Sequence, residues 1–502
     1  MHRCWDVVEL TRLVFDEIMA LDPAMPATRT LCRLARTCRK FSELALDVLW
    51  AEQSGYIPLL STLPATTWST RNGEFKIVTD LRQEDWERTL NYSRRIKQFR
   101  DVNSLPGLHN SAVEAVILSL PPGSLLPNVH YLSCQSGSPF FPHLSTILGT
   151  QISKIHIELA SYQWRYPAVQ HIALRCPFVK NFALEGSFGN EDITLEWSSR
   201  FVLQMTQLRS VDVVGLNRAA WHHISRVAGL EKNSSHSLIA DAFTPSDESL
   251  LHPLFPVLRT LALDRVDLTL VAPFLSAFHS APLQTLMLSG RNLGSVRTLN
   301  ASIATHCSPL HLTFLVIEIY ETEDDPPSLN FEDLRPLLRV PNLRNVRLLY
   351  PGDSLLNDEF VDEIANSWPA LEELSMPGSP AFQDPPTLRS LLSFARHCPH
   401  LRSLELDVDA KTIPLDAVKS SRVIQSSLVE WSVCSSPIGK VTRVAKFLSA
   451  IFPSLEIKCR NPPTSKAKGK WDDVSSLIQD YADIRAHERE ILAINANAED
   501  VF

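Results

Sequence analysis

The sequence predicts an α/β fold of stacked strand–helix units, on three observations. An apolar-x-x-apolar-x-apolar core recurs along most of the chain, it is usually entered through a proline, and its spacing is nearly constant. Clear copies are Pro256-Val257-Leu258-Arg259-Thr260-Leu261-Ala262-Leu263, Pro341-Asn342-Leu343-Arg344-Asn345-Val346-Arg347-Leu348, Pro369-Ala370-Leu371-Glu372-Glu373-Leu374-Ser375-Met376 and Pro399-His400-Leu401-Arg402-Ser403-Leu404-Glu405-Leu406, with another entered at Pro282. Weaker copies open at Val129, Ile152, Val179, Leu208, Leu312 and Leu428. Successive copies lie 23 to 31 residues apart, apart from one step of 50 between Leu208 and Leu258. That step is either two periods with one degenerate copy or an insertion, placed at the polar stretch Glu231–Ser249.

Each part of the unit has a physical reason. The alternating end of the core is a short strand with one face buried, because successive strand side chains point to opposite sides. Helical stretches follow, such as Asp358–Ser367 and Pro386–His397, the second opened by Pro385-Pro386 and closed by Cys398-Pro399. A single unit cannot cover its own apolar side, so neighbours must stack, with parallel strands on the concave face and helices on the convex one. A period of this length with this core resembles the leucine-rich repeat, and the resemblance covers about 330 residues in eleven copies.

Composition agrees and excludes other classes. The 502 residues include 71 leucines, and 34 prolines outnumber 16 glycines, which disfavours glycine-rich phosphate loops. The net charge of −8 gives no nucleic-acid footprint. No apolar run is long enough to span a membrane, and the first residues do not read as a signal peptide. Nine cysteines without a Cys-x-x-Cys pair fit a reducing compartment, cytoplasmic or nuclear, so the sequons at Asn91, Asn233 and Asn300 carry no weight. Cys176, Cys307 and Cys398 stand at unit boundaries, two of them after a histidine; no second ligand pair lies at finger spacing, so they are expected to be buried and to hold no metal. Adjacent His222-His223 cannot share a helix face.

The first fifty residues differ. Val8, Leu10, Leu13, Val14, Phe15 and Ile18 give an amphipathic helix, a loop carrying Pro23 and Pro26 follows, and Leu31, Leu34, Ala35, Cys38 and Phe41 mark a second helix. A third runs through Ala45, Val48, Leu49 and Trp50. Three such helices ahead of leucine-rich repeats resemble an F-box, on Glu9-Leu10, Val14-Phe15-x-x-Ile18, Leu31-x-x-Leu34-Ala35-x-x-Cys38-x-x-Phe41 and the closing Leu49-Trp50. The family's usual Leu-Pro ahead of the first helix is replaced by Val7-Val8. As a whole the chain is similar to the F-box/leucine-rich-repeat proteins of mushroom-forming fungi.

The organisation expected is an F-box at 1–53, a helical connector at 54–125, eleven to twelve repeats at 126–459, a polar linker at 460–470 and a C-terminal helix and tail at 471–502. Within the connector, Trp86–Phe99 reads as a helix leading to an extra strand at Ile96–Asp101, with Arg94, Arg95, Lys97 and Arg100 as a solvated basic cluster. The C-terminal helix, Trp471–Asn495, carries Trp471, Val474, Ile478, Tyr481 and Ile484 on one side and is placed to cap the last repeat near Leu455–Cys459. The run Glu321–Asp325 reads as a loop.

Nucleotide-loop, zincin and serine-hydrolase motifs are all missing, so the expected role is a receptor without cofactor rather than a catalyst. The resemblance implies a substrate-recognition subunit of an SCF-type cullin–RING ubiquitin ligase. Val8, Leu10, Val14, Phe15, Ile18, Leu31, Leu34, Leu49 and Trp50 would bind a Skp-type adaptor, and the repeats would hold a protein substrate. The alternative is a repeat scaffold or regulator with no ubiquitin role. Strand alternation places Phe314, Val316, Glu318, Arg347, Leu349, Glu373, Glu405, Asp407 and Glu430 on the substrate-facing side. Over all copies that face carries nine acidic residues against two basic, which favours a basic partner.

Overall fold

The computed structural model describes residues 5, 7–21, 25–71, 73–101, 107–159, 166–186, 191–238, 254–278, 281–291, 294–321, 331–350, 356–377, 386–414, 423–433, 436–459 and 465–499. Residues 322–325 of the expected loop and most of the polar stretch before Ser249 lie outside them, whereas Glu321, expected in that loop, is the last residue of a strand. The chain forms two compact units, Met1–Leu230 and Glu231–Phe502.

Unit 1 opens with three helices, α1 (Val8–Leu21), α2 (Met25–Leu34) and α3 (Arg39–Ala51). Met25-Pro26-Ala27, expected in the loop, belong to α2, where a proline in the first turn forfeits only an N–H that has no helical acceptor. Then come β1 (Glu52–Ser54), the hairpin strands β2 (Trp68–Arg71) and β3 (Glu74–Ile77), β4 (Gln98–Asp101), β5 (Gly107–Leu108), β6 (Tyr131–Gln135), β7 (Lys154–Glu158), β8 (Asn181–Glu185) and β9 (Ser210–Val213). β1, β4, β6, β7, β8 and β9 form one parallel ladder in that order, while β2, β3 and β5 make a small separate sheet.

Unit 2 continues with β10 (Lys232–Ser235), β11 (Thr260–Asp267), β12 (Thr285–Arg291), β13 (Phe314–Glu321), β14 (Asn345–Leu349), β15 (Glu373–Met376), β16 (Ser403–Leu406), β17 (Glu430–Val433) and β18 (Glu456–Cys459), each paired in parallel with the next. Helices such as Asp358–Ser367 and Leu388–His397 connect them, capped by the Asn357 and Thr387 side chains. The fold is an α/β solenoid of leucine-rich-repeat type.

The repeat core builds the ladder as expected. Leu258, Leu261 and Leu263 are buried, and so are Leu343, Val346 and Leu348, and Leu401, Leu404 and Leu406. Parallel pairing returns every unit to the same register, so each buried trio stacks on the next and a continuous apolar spine results.

One alternative is decided and two expectations on organisation are corrected. The 50-residue step is two periods with one degenerate copy: β10 is its strand, unreadable because Asn233 and Ser235 occupy its buried positions in place of apolar residues. The ladder starts before residue 126, since β1 and β4 precede β6, so part of the expected connector is repeat. The final helix begins at Ser465, and Gly469-Lys470 lie inside it rather than in a linker.

That helix covers the end of unit 2. Trp471, Val474 and Ile478 are buried, the Trp471 ring meets Trp431 edge-on with centroids 5.3 Å apart, and the Trp471 indole N–H donates to the Ser436 carbonyl at 3.1 Å. The last strand is fixed as well, because the Ile457 N–H donates to Ser475 Oγ at 3.0 Å. Ile484 is exposed. No helix among the described residues is long and apolar enough to cross a membrane.

Candidate binding surfaces

Helix α1 is apolar on two sides, and only one of them faces inward. Phe15 is fully buried with Leu31, Phe41, Ala45 and Val48, and its ring meets Phe41 edge-on at 5.7 Å. Ile18, Leu34, Ala35 and Leu49 pack against that cluster. Thr11 is buried beside it, its hydroxyl donating to the Val7 carbonyl at 3.0 Å. The other side presents Leu10 (47% exposed), Leu13 (63%) and Val14 (41%) to solvent, while Val8, in line with Phe15, is exposed at the start of the helix. The nine residues expected to bind an adaptor therefore divide. Leu10 and Val14 lie on the outer surface and Val8 at the exposed helix start, whereas Phe15 and Leu31 hold the three helices together, with Ile18, Leu34 and Leu49 packed on them. Trp50 packs instead on Tyr92, the ring centroids 4.6 Å apart and the rings tilted by 34°. Leu13 is the most exposed member of the outer stripe; helical spacing from Leu10 and Val14 was the signal that identifies it.

The three helices are fixed to the strands that follow. α3 runs into β1 without a linker, the Lys97 N–H donates to the Ala51 carbonyl at 2.8 Å, and the Arg95 guanidinium bonds Glu43 and Asp47. A cleft of about 690 Å³ lies beside this clamp, lined by Arg12, Asn91, Arg94, Arg95 and Lys97 with the two carboxylates. Of the expected basic cluster, Arg95 is thus largely neutralised, and Arg100 pairs with Glu52 at 2.9 Å.

In unit 2 the register sets two rows of side chains across five strands. Phe314, Asn345, Glu373, Ser403 and Glu430 stand side by side, and Val316, Arg347, Ser375, Glu405 and Ser432 form the parallel row. Together they line a groove of about 220 Å³. Ser375 Oγ donates to Glu405 at 2.6 Å, Arg347 reaches Glu318 at 3.6 Å, and Lys458 reaches Glu430 at 2.8 Å. Of the expected substrate-facing residues the groove thus gathers Phe314, Val316, Arg347, Glu373, Glu405 and Glu430, with Glu318 at its rim through Arg347. Leu349 does not line it. Asp407 is corrected: it is 2% exposed and accepts from Ser436 Oγ at 2.9 Å, because strand alternation ends with β16 at Leu406.

Farther along the same ladder, Asp264 accepts from Ser289 and meets His236 Nδ1 at 3.0 Å. Desolvation would raise its pKa, yet these two partners and Arg265 hold it below the ordinary carboxylate value. In unit 1, Lys154 Nζ sits 4.9 Å from the Tyr131 ring centroid, and His156 faces Glu185 at 3.3 Å. These groups make a polar, hydrogen-bonding surface.

The boundary cysteines are interior groups. Cys176, Cys307 and Cys398 are buried, and burial pushes their thiols up to about 11, 12 and 12, respectively, which keeps them neutral. His223 Nε2 lies 2.7 Å from the Met205 carbonyl. Among the described residues no group of three or more potential ligands is placed to hold a metal ion. At the end of β4, Asp101 is 9% exposed, with one oxygen bonded to Ser138 and the other without a partner. Its burial pushes its pKa up to about 6.

No family model matches the sequence, and no curated protein does. Solved structures that overlap the chain include an internalin and a yeast complex. The internalin, of Listeria monocytogenes, is 14% identical, with a TM-score of 0.38, over 68% of this chain and 82% of its own. The yeast Rad7 and Elc1 complex is 14% identical, with a TM-score of 0.37, over 86% and 89%. Both overlaps are shallow, and the fold stands on the strand ladder itself.

Proposed function

We propose that the chain is a substrate receptor of an SCF-type cullin–RING ubiquitin ligase, binding a Skp-type adaptor through α1 and a protein substrate through the ladder. In this reading it is no catalyst; ubiquitin transfer belongs to its partner enzymes. The observation that carries the adaptor half is the outer stripe of Leu10, Leu13 and Val14, left exposed on a helix whose opposite side already fills a core. A contiguous exposed apolar face of this kind marks an interaction site, and apolar helix faces dock into helical surfaces.

The experiment is co-purification of the full chain with a fungal Skp-type adaptor, wild type against Leu13→Asp/Val14→Asp. These positions are exposed, so the variant keeps its fold and loses the adaptor. Adaptor binding equal in both proteins would overturn the assignment. Phe15→Asp is not a test of the surface, since it places a charge in the helical core.

A second reading, a repeat scaffold or regulator with no ubiquitin role, is favoured by one observation: α3 flows into β1, and Arg95 fastens the helices to the ladder as an end cap would require. For that reading, folded wild-type chain binds no adaptor.

A further inference from the structure

The groove of unit 2 changes character from one end to the other. Met287 of β12, 40% exposed, pairs with Val316 of β13, and Phe314 stands beside them, so this end is apolar. Beyond Arg347 the lining turns acidic, with Glu373 on β15, Glu405 on β16 and Glu430 on β17. The lining thus carries three carboxylates and one cation, Arg347, an acidic balance in a recess whose walls focus the field.

We propose that this groove holds an extended peptide laid across the strands, its apolar side chain on Met287, Phe314 and Val316 and its lysines or arginines over Glu373, Glu405 and Glu430. The proposal rests on the reading above for the ladder being the substrate-holding part, and it names the substrate class. Strand spacing sets the recognition pattern. Neighbouring strands lie about 4.8 Å apart, so roughly 10–14 Å separates β13 from β15 and β16, and roughly 19 Å separates it from β17. An extended peptide advances about 3.3 Å per residue and returns to the same face every second residue. An apolar residue followed four and six residues later by basic ones spans about 13 and 20 Å, which matches both intervals.

The test is fluorescence anisotropy of the full chain with a labelled probe, Phe-Ser-Gly-Ser-Lys-Ser-Lys, at about 150 mM salt. Two controls replace both lysines by glutamate or the phenylalanine by glycine. The parent peptide is expected to bind, each control roughly tenfold more weakly. Glu373→Lys/Glu405→Lys should weaken the parent by a similar factor and strengthen the glutamate peptide, while Met287→Asp weakens the parent and leaves the glycine control unweakened. All positions changed are at least partly exposed, and circular dichroism verifies the fold. No binding by folded wild type overturns the proposal, as does affinity unchanged by the double charge reversal. Equal binding of the glycine control, which would make the groove a general cation trap, overturns it too. Adaptor co-purification with the same charge-reversed chain reads the other half separately, because α1 is untouched.

Discussion

Replacing Asp101 by asparagine should stabilise unit 1 at neutral pH, an unusual outcome for a buried polar residue. The carboxyl sits at the end of β4 with one oxygen unpartnered, near the buried Tyr56 hydroxyl and Cys134 thiol, both of which burial and then the Asp101 charge push upward. Its pKa rises from 3.8 to about 6, chiefly because burial penalises the ionised form, with the Ser138 hydrogen bond opposing. Each tenfold in proton affinity is worth about 1.4 kcal/mol, so keeping this carboxylate ionised in the folded chain costs roughly 3 kcal/mol. The folded pKa lies above the unfolded one. The contribution to stability is therefore complete below about pH 4, is lost as pH rises through about 6, and stays lost above. Asparagine keeps the shape without the charge. At pH 7.5 it should regain about 2 kcal/mol, or about 4–8 °C in the melting temperature of a unit this size, and its curve should flatten between pH 4 and 6. Thermal unfolding across pH 4–8, with hydrogen exchange of β4 and β6 identifying the unit 1 transition, measures both. An asparagine variant that is less stable at pH 7.5, or one whose pH dependence parallels wild type, would refute the reasoning.

Three other perturbations test the packing. A β-carbon built on Gly290 falls 1.9 Å from the Val266 carbonyl oxygen, where the register between β11 and β12 shifts and Arg265 adopts φ 56°. Gly290→Ala should cost about 2–3 kcal/mol and speed amide exchange in those two strands. Trp471→Ala removes a fully buried ring from the end cap. It should cost about 3–5 kcal/mol in unit 2, with β17 and β18 losing protection first and unit 1 unchanged. Arg95→Ala leaves Glu43 and Asp47 largely solvated. About 1–2 kcal/mol should be lost locally, read as faster exchange in α1–α3 with little change in β6–β9.

The ladder was legible because strand and spacing share one cause. Every leading apolar residue from Val129 to Leu428 is followed two positions later by the start of a strand, since the alternating core can bury only one face. β10 escaped because Asn233 and Ser235 occupy buried positions, and a pattern of apolar letters cannot register them. β1 is only three residues long and continues a helix, so no alternation is visible in it. On α1 the difficulty is different. Leu10, Leu13 and Val14 are as apolar as Phe15 and Ile18, and periodicity finds both stripes without saying which faces the core. Only packing decides, and it decides by size, since the ring of Phe15 fills the space among Leu31, Phe41 and Ala45. Asp407 shows the limit of extrapolating alternation: one residue past the strand, its side chain turns inward to Ser436.

The outer stripe of α1 also weighs between the two functional readings. A terminal cap exists to hide the apolar side of the first repeat and should show water a polar exterior. α3 and Arg95 meet the first requirement, through the run into β1 and the bonds to Glu43 and Asp47. α1 fails the second: it fills the core with Phe15 and still leaves Val8, Leu10, Leu13 and Val14 in solvent, a surplus that capping does not need. Surplus exposed apolar surface costs solubility unless a partner covers it. The same three helices can therefore both close the ladder and dock a partner, with opposite faces assigned to the two tasks. Because no linker separates α3 from β1, a partner held on α1 is held at a fixed position relative to the first strands of unit 1. The proposed receptor reading accounts for both faces of α1, whereas a cap alone accounts only for the inner one.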